Sequence, residues 1–138
     1  MAIHHLVYTS HARAGFNRQD LVDVGASAGK HNPARSITGC LVLCEGRFLQ
    51  VLEGGLSAIN ECYQRIAADT RHHGVTLIEV GRTDRRRFGK WSMKWIYAAD
   101  IAGTAEVVHK YLPEAQFTPE LLSGKACVDL LAECAELL

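Results

Sequence analysis

Residues 36–53 read Ser36-Ile-Thr-Gly-Cys40-Leu-Val-Leu-Cys44-Glu45-Gly46-Arg47-Phe-Leu-Gln50-Val-Leu-Glu53. Two apolar runs flank Glu45-Gly46, a dipeptide of the kind that closes a two-residue hairpin. The stretch therefore predicts paired strands over 36–44 and 47–53. Working upstream, Asn17 is a helix N-cap with Asp20 in a capping-box-like position three residues on. The helix runs to about His31 and carries Leu21, Val24 and Ala28 at helical spacing. Asn32-Pro33 ends it, because proline disfavours helix in the residue before it. Residues 4–10 form an earlier strand, with Leu6, Tyr8 and Ser10 on one face and His5, Val7 and Thr9 on the other. Downstream, a second helix starts near Ser57, with Ile59, Cys62, Tyr63, Ile66 and Ala67 at i, i+3, i+4, i+7 and i+8. A fourth strand over 75–81, a basic loop over 82–90 and a fifth strand over 91–97 follow.

The order strand–helix–strand–strand–helix–strand predicts an α+β, ferredoxin-like sheet with one added strand. It sets the first and third strands side by side, read here as parallel, with both helices on one face by crossover handedness. The other face is also apolar (Val7, Cys40, Val42, Leu49, Val51) and needs a cover. Thr118-Pro119-Glu120 opens a tail helix with apolar residues at 127, 130, 131, 134 and 138. Val128 and Ala135 widen that stripe enough to suggest that part of it meets a second subunit. The organisation expected is a core over 1–97 and a helical extension over 98–138.

At 138 residues the chain is one domain by length, and its apolar share of 48% is ordinary for a globular protein. Fifteen basic and fifteen acidic residues cancel, which argues against a nucleic-acid binder or an anionic-membrane binder. No apolar run approaches the ~20 residues of a membrane span, and the N-terminus enters a strand with no signal peptide. The five cysteines include no C-x-x-C pair, and Cys40 and Cys44 on one strand lie ~13 Å apart, too far to bridge. They read as reduced, mostly buried thiols of a cytoplasmic protein. His4, His5, His72 and His73 have no acidic or cysteine partner at ligand spacing, so no metal is expected. Arg82, Arg85, Arg86, Arg87 and Lys90 form the one charge run, either a solvated loop or a docking site for a partner protein.

A phenol, Tyr8, and a primary amide, Gln50, stand inside hydrophobic strands. An unpartnered buried polar group costs roughly 1–3 kcal/mol. On neighbouring strands the two side chains come within ~5 Å of each other and can satisfy one another. A tyrosine able to release an electron and a proton, beside an amide able to reorient, makes a switch. Asn32, at the end of the first helix, and Arg65 and Asp69, one turn apart on the second helix (i, i+4), face the same region, with His31 adjoining. The planar amide of Asn32 suits the carbonyl and N–H edge of a heteroaromatic ring, and an arginine suits an anionic tail. Arg65 and Asp69 can equally be a surface helix pair.

At these residues the chain resembles the BLUF domains, sensors of blue light using FAD. The matching segments are Leu6-Val-Tyr8-Thr-Ser10, His31-Asn32 before Ile37-Thr-Gly39, Arg47-Phe-Leu-Gln50-Val-Leu-Glu-Gly54, Tyr63-x-Arg65-Ile66-x-x-Asp69-x-Arg71-His72, and Phe88-x-x-Trp91-Ser-Met93. The resemblance covers about residues 4–97. It implies a noncovalent FAD between the two helices, with FMN or riboflavin as possible substitutes. Asn32 would hold its pyrimidine edge, His31, Arg65 and Asp69 would lie beside it, and Gln50 would bridge Tyr8 and the flavin N5/O4 edge. In the family, light moves an electron and a proton from the tyrosine to the flavin, the glutamine changes its hydrogen bonding, and the flavin absorption shifts to the red. The resemblance also implies that strand five carries the signal outward, with either Trp91 or Met93 packed near Gln50. Many relatives have two asparagines where this chain has His31-Asn32, so His31 is the point at which the chain departs from the family pattern.

The resemblance thus implies a photoreceptor and not an enzyme, since residues 98–138 are too few for a catalytic domain. Its output would pass to a separate downstream protein or through homo-oligomerisation. Two other readings of the fold stand beside it. One is a small acylphosphatase-like hydrolase, which needs an anion-cradling loop where His11-Ala-Arg-Ala-Gly15 stands. The other is a light-insensitive nucleotide-binding regulator.

Overall fold

The hairpin forms as read. β2 (Thr38–Cys44) and β3 (Arg47–Gly54) pair antiparallel, and Glu45 and Gly46 both take positive φ, 52° and 74°, the combination a two-residue hairpin turn requires. The computed structural model describes residues 2–114 and 116–138. β1 (Ile3–Ala12) lies on the other side of β3, and β4 (His72–Thr83) and β5 (Lys94–Tyr97) take the edges, in the order β4-β1-β3-β2-β5.

β1 and β3 are neighbours as expected but antiparallel rather than parallel. The reason is topological: the crossover through α1 (Arg18–His31) makes β1 and β2 run the same way, and the tight hairpin then reverses β3 between them. Among the described residues only β2 and β5 pair parallel. β4 is longer than the expected 75–81 and bulges twice against β1. The fifth strand begins at Lys94, not Trp91, because residues 91–93 are irregular.

Asn17 caps α1 through the full reciprocal box with Asp20. α2 (Leu56–Ala67) starts one residue before the expected Ser57. Both helices lie on one face of the sheet. Leu21 of α1 packs with Leu41, Leu43 and Phe48, and Ile59 and Cys62 of α2 pack with Leu6, Tyr8 and Leu52.

The opposite face is covered by α4 (Gly124–Ala135), whose Cys127, Leu130, Leu131 and Cys134 bury against Val7, Cys40, Val42, Leu49 and Val51. Ser123 is its N-cap, accepting from Ala126 N at 3.1 Å. Pro119 instead opens a short 3-10 turn, so the tail helix begins five residues later than the proline signal suggests. A further helix, α3 (Thr104–Tyr111), packs beside α4. Its signal was the apolar spacing of Val107, Val108 and Tyr111. Val128 and Ala135 are buried inside this layer, so the widened stripe is used within the chain; Leu121, Leu137 and Leu138 are the apolar residues left exposed there.

Candidate functional site

α1 and α2 stand apart over the sheet and leave a cleft of about 220 Å³. Its lining includes Tyr8, His31, Asn32, Gln50, Arg65 and Asp69, all six residues expected to contact a cofactor. At its floor Tyr8 and Gln50 are direct cross-strand partners. The Tyr8 hydroxyl donates to Gln50 Oε1, and Gln50 Nε2 donates to Met93 Sδ at 3.2 Å. Tyr8 is buried, with Tyr63 edge-on at 5.6 Å between ring centroids. Burial, and then the acidic groups of Cys62, Tyr63 and Asp69, push the phenol far above its ordinary value. The phenol is therefore held in its protonated, donating form.

That shift has a thermodynamic consequence. An unfolded tyrosine ionises near pH 10 whereas burial moves the folded Tyr8 phenol to higher pH, so the contribution of Tyr8 to stability is complete below about pH 10 and falls above it, with a limiting slope of about 1.4 kcal/mol per pH unit. Tyr8→Phe removes this dependence. Urea melts of the variant between about pH 10 and pH 11 are expected to lose stability less steeply than those of the parent; equal slopes would refute the assignment.

Asn32 is buried at the end of α1, and its Nδ2 donates to Ser92 O at 2.9 Å. His31 and Arg65 are exposed residues of the cleft lining. Asp69 does not pair with Arg65. α2 ends at Ala67, so helical i, i+4 geometry does not extend to Asp69. It is held instead by Arg71, whose N and Nε donate to Oδ1 at 2.9 and 3.0 Å. These hydrogen bonds hold the Asp69 carboxyl below the usual carboxylate range.

Three cleft features were not assigned from sequence. Arg71, present only as a motif letter, and His72, weighed only as a metal ligand, both line the cleft. His72 Nε2 contacts Ile66 O at 2.5 Å and its Nδ1 contacts Ser10 Oγ at 2.7 Å. A carbonyl can only accept, so Nε2 carries the proton and Nδ1 accepts from the serine. Phe16 and Phe48, edge to face at 5.2 Å, close one wall; nothing in an alternating strand distinguishes such a wall from core.

Trp91 and Met93 do not share a face. Strand alternation does not apply to the irregular 91–93 segment, and Met93 turns toward the cleft side while Trp91 packs into the core beneath α4. Trp95 lies over Gly25 of α1, where no Cβ could fit beneath the indole. The basic run is not simply solvated: Arg86 Nη1 donates to Glu53 O at 3.0 Å, and Arg87 pairs with Asp129 of α4 at 3.0 Å. The segment after β1 makes a poor anion cradle, since the Arg13 and Phe16 amides donate to Arg71 O and Arg13 O. All five cysteines are unpaired, and burial pushes the Cys40, Cys127 and Cys134 thiols up to about 12. Among the described residues no three potential metal ligands cluster, and no helix is long and apolar enough to cross a membrane.

The donor set fits a flat heteroaromatic ring with an anionic tail. Apolar and aromatic walls (Phe16, Val24, Leu41, Phe48, Ile66) enclose two amides, and the guanidinium groups of Arg65 and Arg71 share the lining. Comparison with known proteins agrees. The family model for BLUF, sensors of blue-light using FAD, matches residues 3–94. Photoactivated adenylate cyclase subunit beta-like protein FB of Euglena gracilis is 31% identical over 109 residues, 78% of this chain and 12% of that protein. The blue light- and temperature-regulated antirepressor BluF of Escherichia coli K12 is 29% identical over 89 residues, 64% of this chain and 22% of that one. The chain spans roughly a tenth of the length of the cyclase relatives it matches. Among solved structures, BlsA in its photo-activated state superposes with a TM-score of 0.83 at 26% identity, covering 96% of this chain and 94% of that one. Dark-state BlrB superposes with 0.75 at 26% identity, covering 97% and 95%.

Proposed function

The chain belongs to the BLUF family of blue-light sensors that use FAD, and on that premise we propose that Tyr8, Gln50 and Met93 form its switch, with output passed to a separate protein or through self-association. The observation that carries this reading is the chain of hydrogen bonds on the cleft floor, from Tyr8 Oη to Gln50 Oε1 and from Gln50 Nε2 to Met93 Sδ. FAD, when bound, supplies the blue-light chromophore and a redox partner. Asn32, Arg65 and Asp69 would hold it, with His31 at the rim and Arg71 and His72 added to the set.

The protein side of the switch follows from donor and acceptor counting. Tyr8 holds its proton at Oη beside an amide whose two ends differ. A half-turn of that amide brings Nε2 to Tyr8 and Oε1 to Met93. A thioether cannot donate, so the turned amide loses its partner at Met93, and Met93 must move. Motion there reaches the 91–97 segment, whose Trp91 packs beneath α4. Trp91 thus belongs to the output side of the switch.

The 98–138 extension would serve as output element rather than as a catalyst. Five unpaired cysteines support a reducing compartment such as the cytoplasm. The test is an absorption spectrum of the purified protein in darkness and after blue light. A yellow protein with a reversible red shift is expected; a colourless protein, or a bound flavin indifferent to light, would end the proposal.

A further inference from the structure

Glu53, at the end of β3, is 1% exposed, yet it is a carboxylate. Its Oε1 accepts from Thr38 Oγ1 at 2.9 Å and from Phe88 N at 3.0 Å, and its Oε2 accepts from Arg87 N at 2.6 Å. Arg86 Nη1 completes the clamp with donations to Thr38 Oγ1 at 2.8 Å and Glu53 O at 3.0 Å. Two consecutive backbone amides of the β4–β5 loop are thus anchored on one side chain of the central sheet.

Phe88 is buried in the α4 core, and its carbonyl accepts from Trp91 N at 3.1 Å. Trp91 O accepts from Gly39 N at 3.4 Å, Ser92 O accepts from Asn32 Nδ2, and Met93 Sδ accepts from Gln50. Arg87 reaches Asp129 on α4. The 86–93 segment is irregular and makes no strand ladder, so these few bonds set where its two ends sit.

We propose that Glu53 is a positioning residue of the light switch. It holds residues 86–93 so that Met93 stays against the Gln50 amide on one face while Phe88 and Trp91 stay in the α4 core on the other. A change at Gln50 is transmitted to α4 because the segment between them is fixed at Glu53 and cannot absorb the motion locally. This rests on the Tyr8–Gln50–Met93 switch proposed above.

The test is Glu53→Gln, which keeps the shape but turns one acceptor into a donor facing a backbone N–H. The variant is expected to bind FAD and to keep the light-induced red shift, since Tyr8 and Gln50 are untouched. Its return to darkness should change about five-fold, the equivalent of one lost hydrogen bond. In the flavin-free protein, amide exchange over 86–93 should rise by a similar factor; in the flavin-loaded protein, the light-dependent exchange of α4 should disappear. Val108→Ala, a cavity in the α3–α4 layer away from Glu53, controls for plain loss of stability and should keep the parent return rate. A folded Glu53→Gln protein with parent return rate and parent exchange overturns the proposal, as does an equal rate change in Val108→Ala. If Glu53→Gln does not fold, Thr38→Val, which keeps the carboxylate and drops one donor, is read by the same criteria. A parent protein without a red shift overturns the switch itself and the proposal with it; a parent that shifts beside an indifferent Glu53→Gln overturns the role of Glu53 alone.

Discussion

Gln50→Leu is expected to yield a protein that takes up flavin and shows no light-induced red shift. Leucine approximates the volume of glutamine but can neither accept from Tyr8 Oη nor donate to Met93 Sδ, the two bonds the amide makes here. No group is left that changes character by turning. Asn32, Arg65 and Asp69 remain in the cleft lining, so uptake persists. The substitution also strands a buried phenol hydroxyl, which costs about 1–3 kcal/mol and is readable in a denaturant melt. Dark-minus-light difference spectra check the main effect, and a red shift of parental size in the variant would show that the amide is not the switching element.

A chain ended after Tyr97 is expected not to fold as a stable monomer, although it retains the whole sheet and the whole cleft. Without α3 and α4 the apolar face of Val7, Val42, Leu49, Val51 and Ile96, at most 1% exposed in the full chain, meets water. At about 1.5–3 kcal/mol per side chain the loss is on the order of 10 kcal/mol, which matches the entire stability of an ordinary domain. Thermal circular dichroism and gel filtration decide it. A cooperative melt at the full-length midpoint, from a monomer, would mean that the 98–138 layer contributes nothing to the fold. On that expectation the two segments are one folding unit, and the helices that would carry output also cover the apolar face of the sheet.

Much of the site was legible because its chemistry is local. Tyr8 and Gln50 announced themselves as polar groups in apolar strands, and a cross-strand pair was the economical way to satisfy both. The capping box at Asn17, the Asn32-Pro33 stop and the Glu45-Gly46 turn are rules that act within a few residues, so those boundaries came out within one or two positions. Glu53 was illegible for the opposite reason. Its partners, Arg87 N and Phe88 N, are backbone amides more than thirty residues away, and backbone amides leave no mark in a sequence. Arg71 displaced Arg65 as the partner of Asp69 because α2 ends at Ala67, before Asp69, so the helical spacing does not hold.

The side-chain period of the strands and helices, written in the order of residues, was enough to assign the α+β class, both apolar faces and the two groups that meet at the cleft floor. Direction and side were another matter. The antiparallel run of β3 beside β1 follows from closing a hairpin inside a right-handed crossover. The separation of Met93 from Trp91 depends on where a segment without a ladder is pinned. Both depend on contacts between residues far apart in the chain, and those exist only once the sheet has formed and both of its faces are covered.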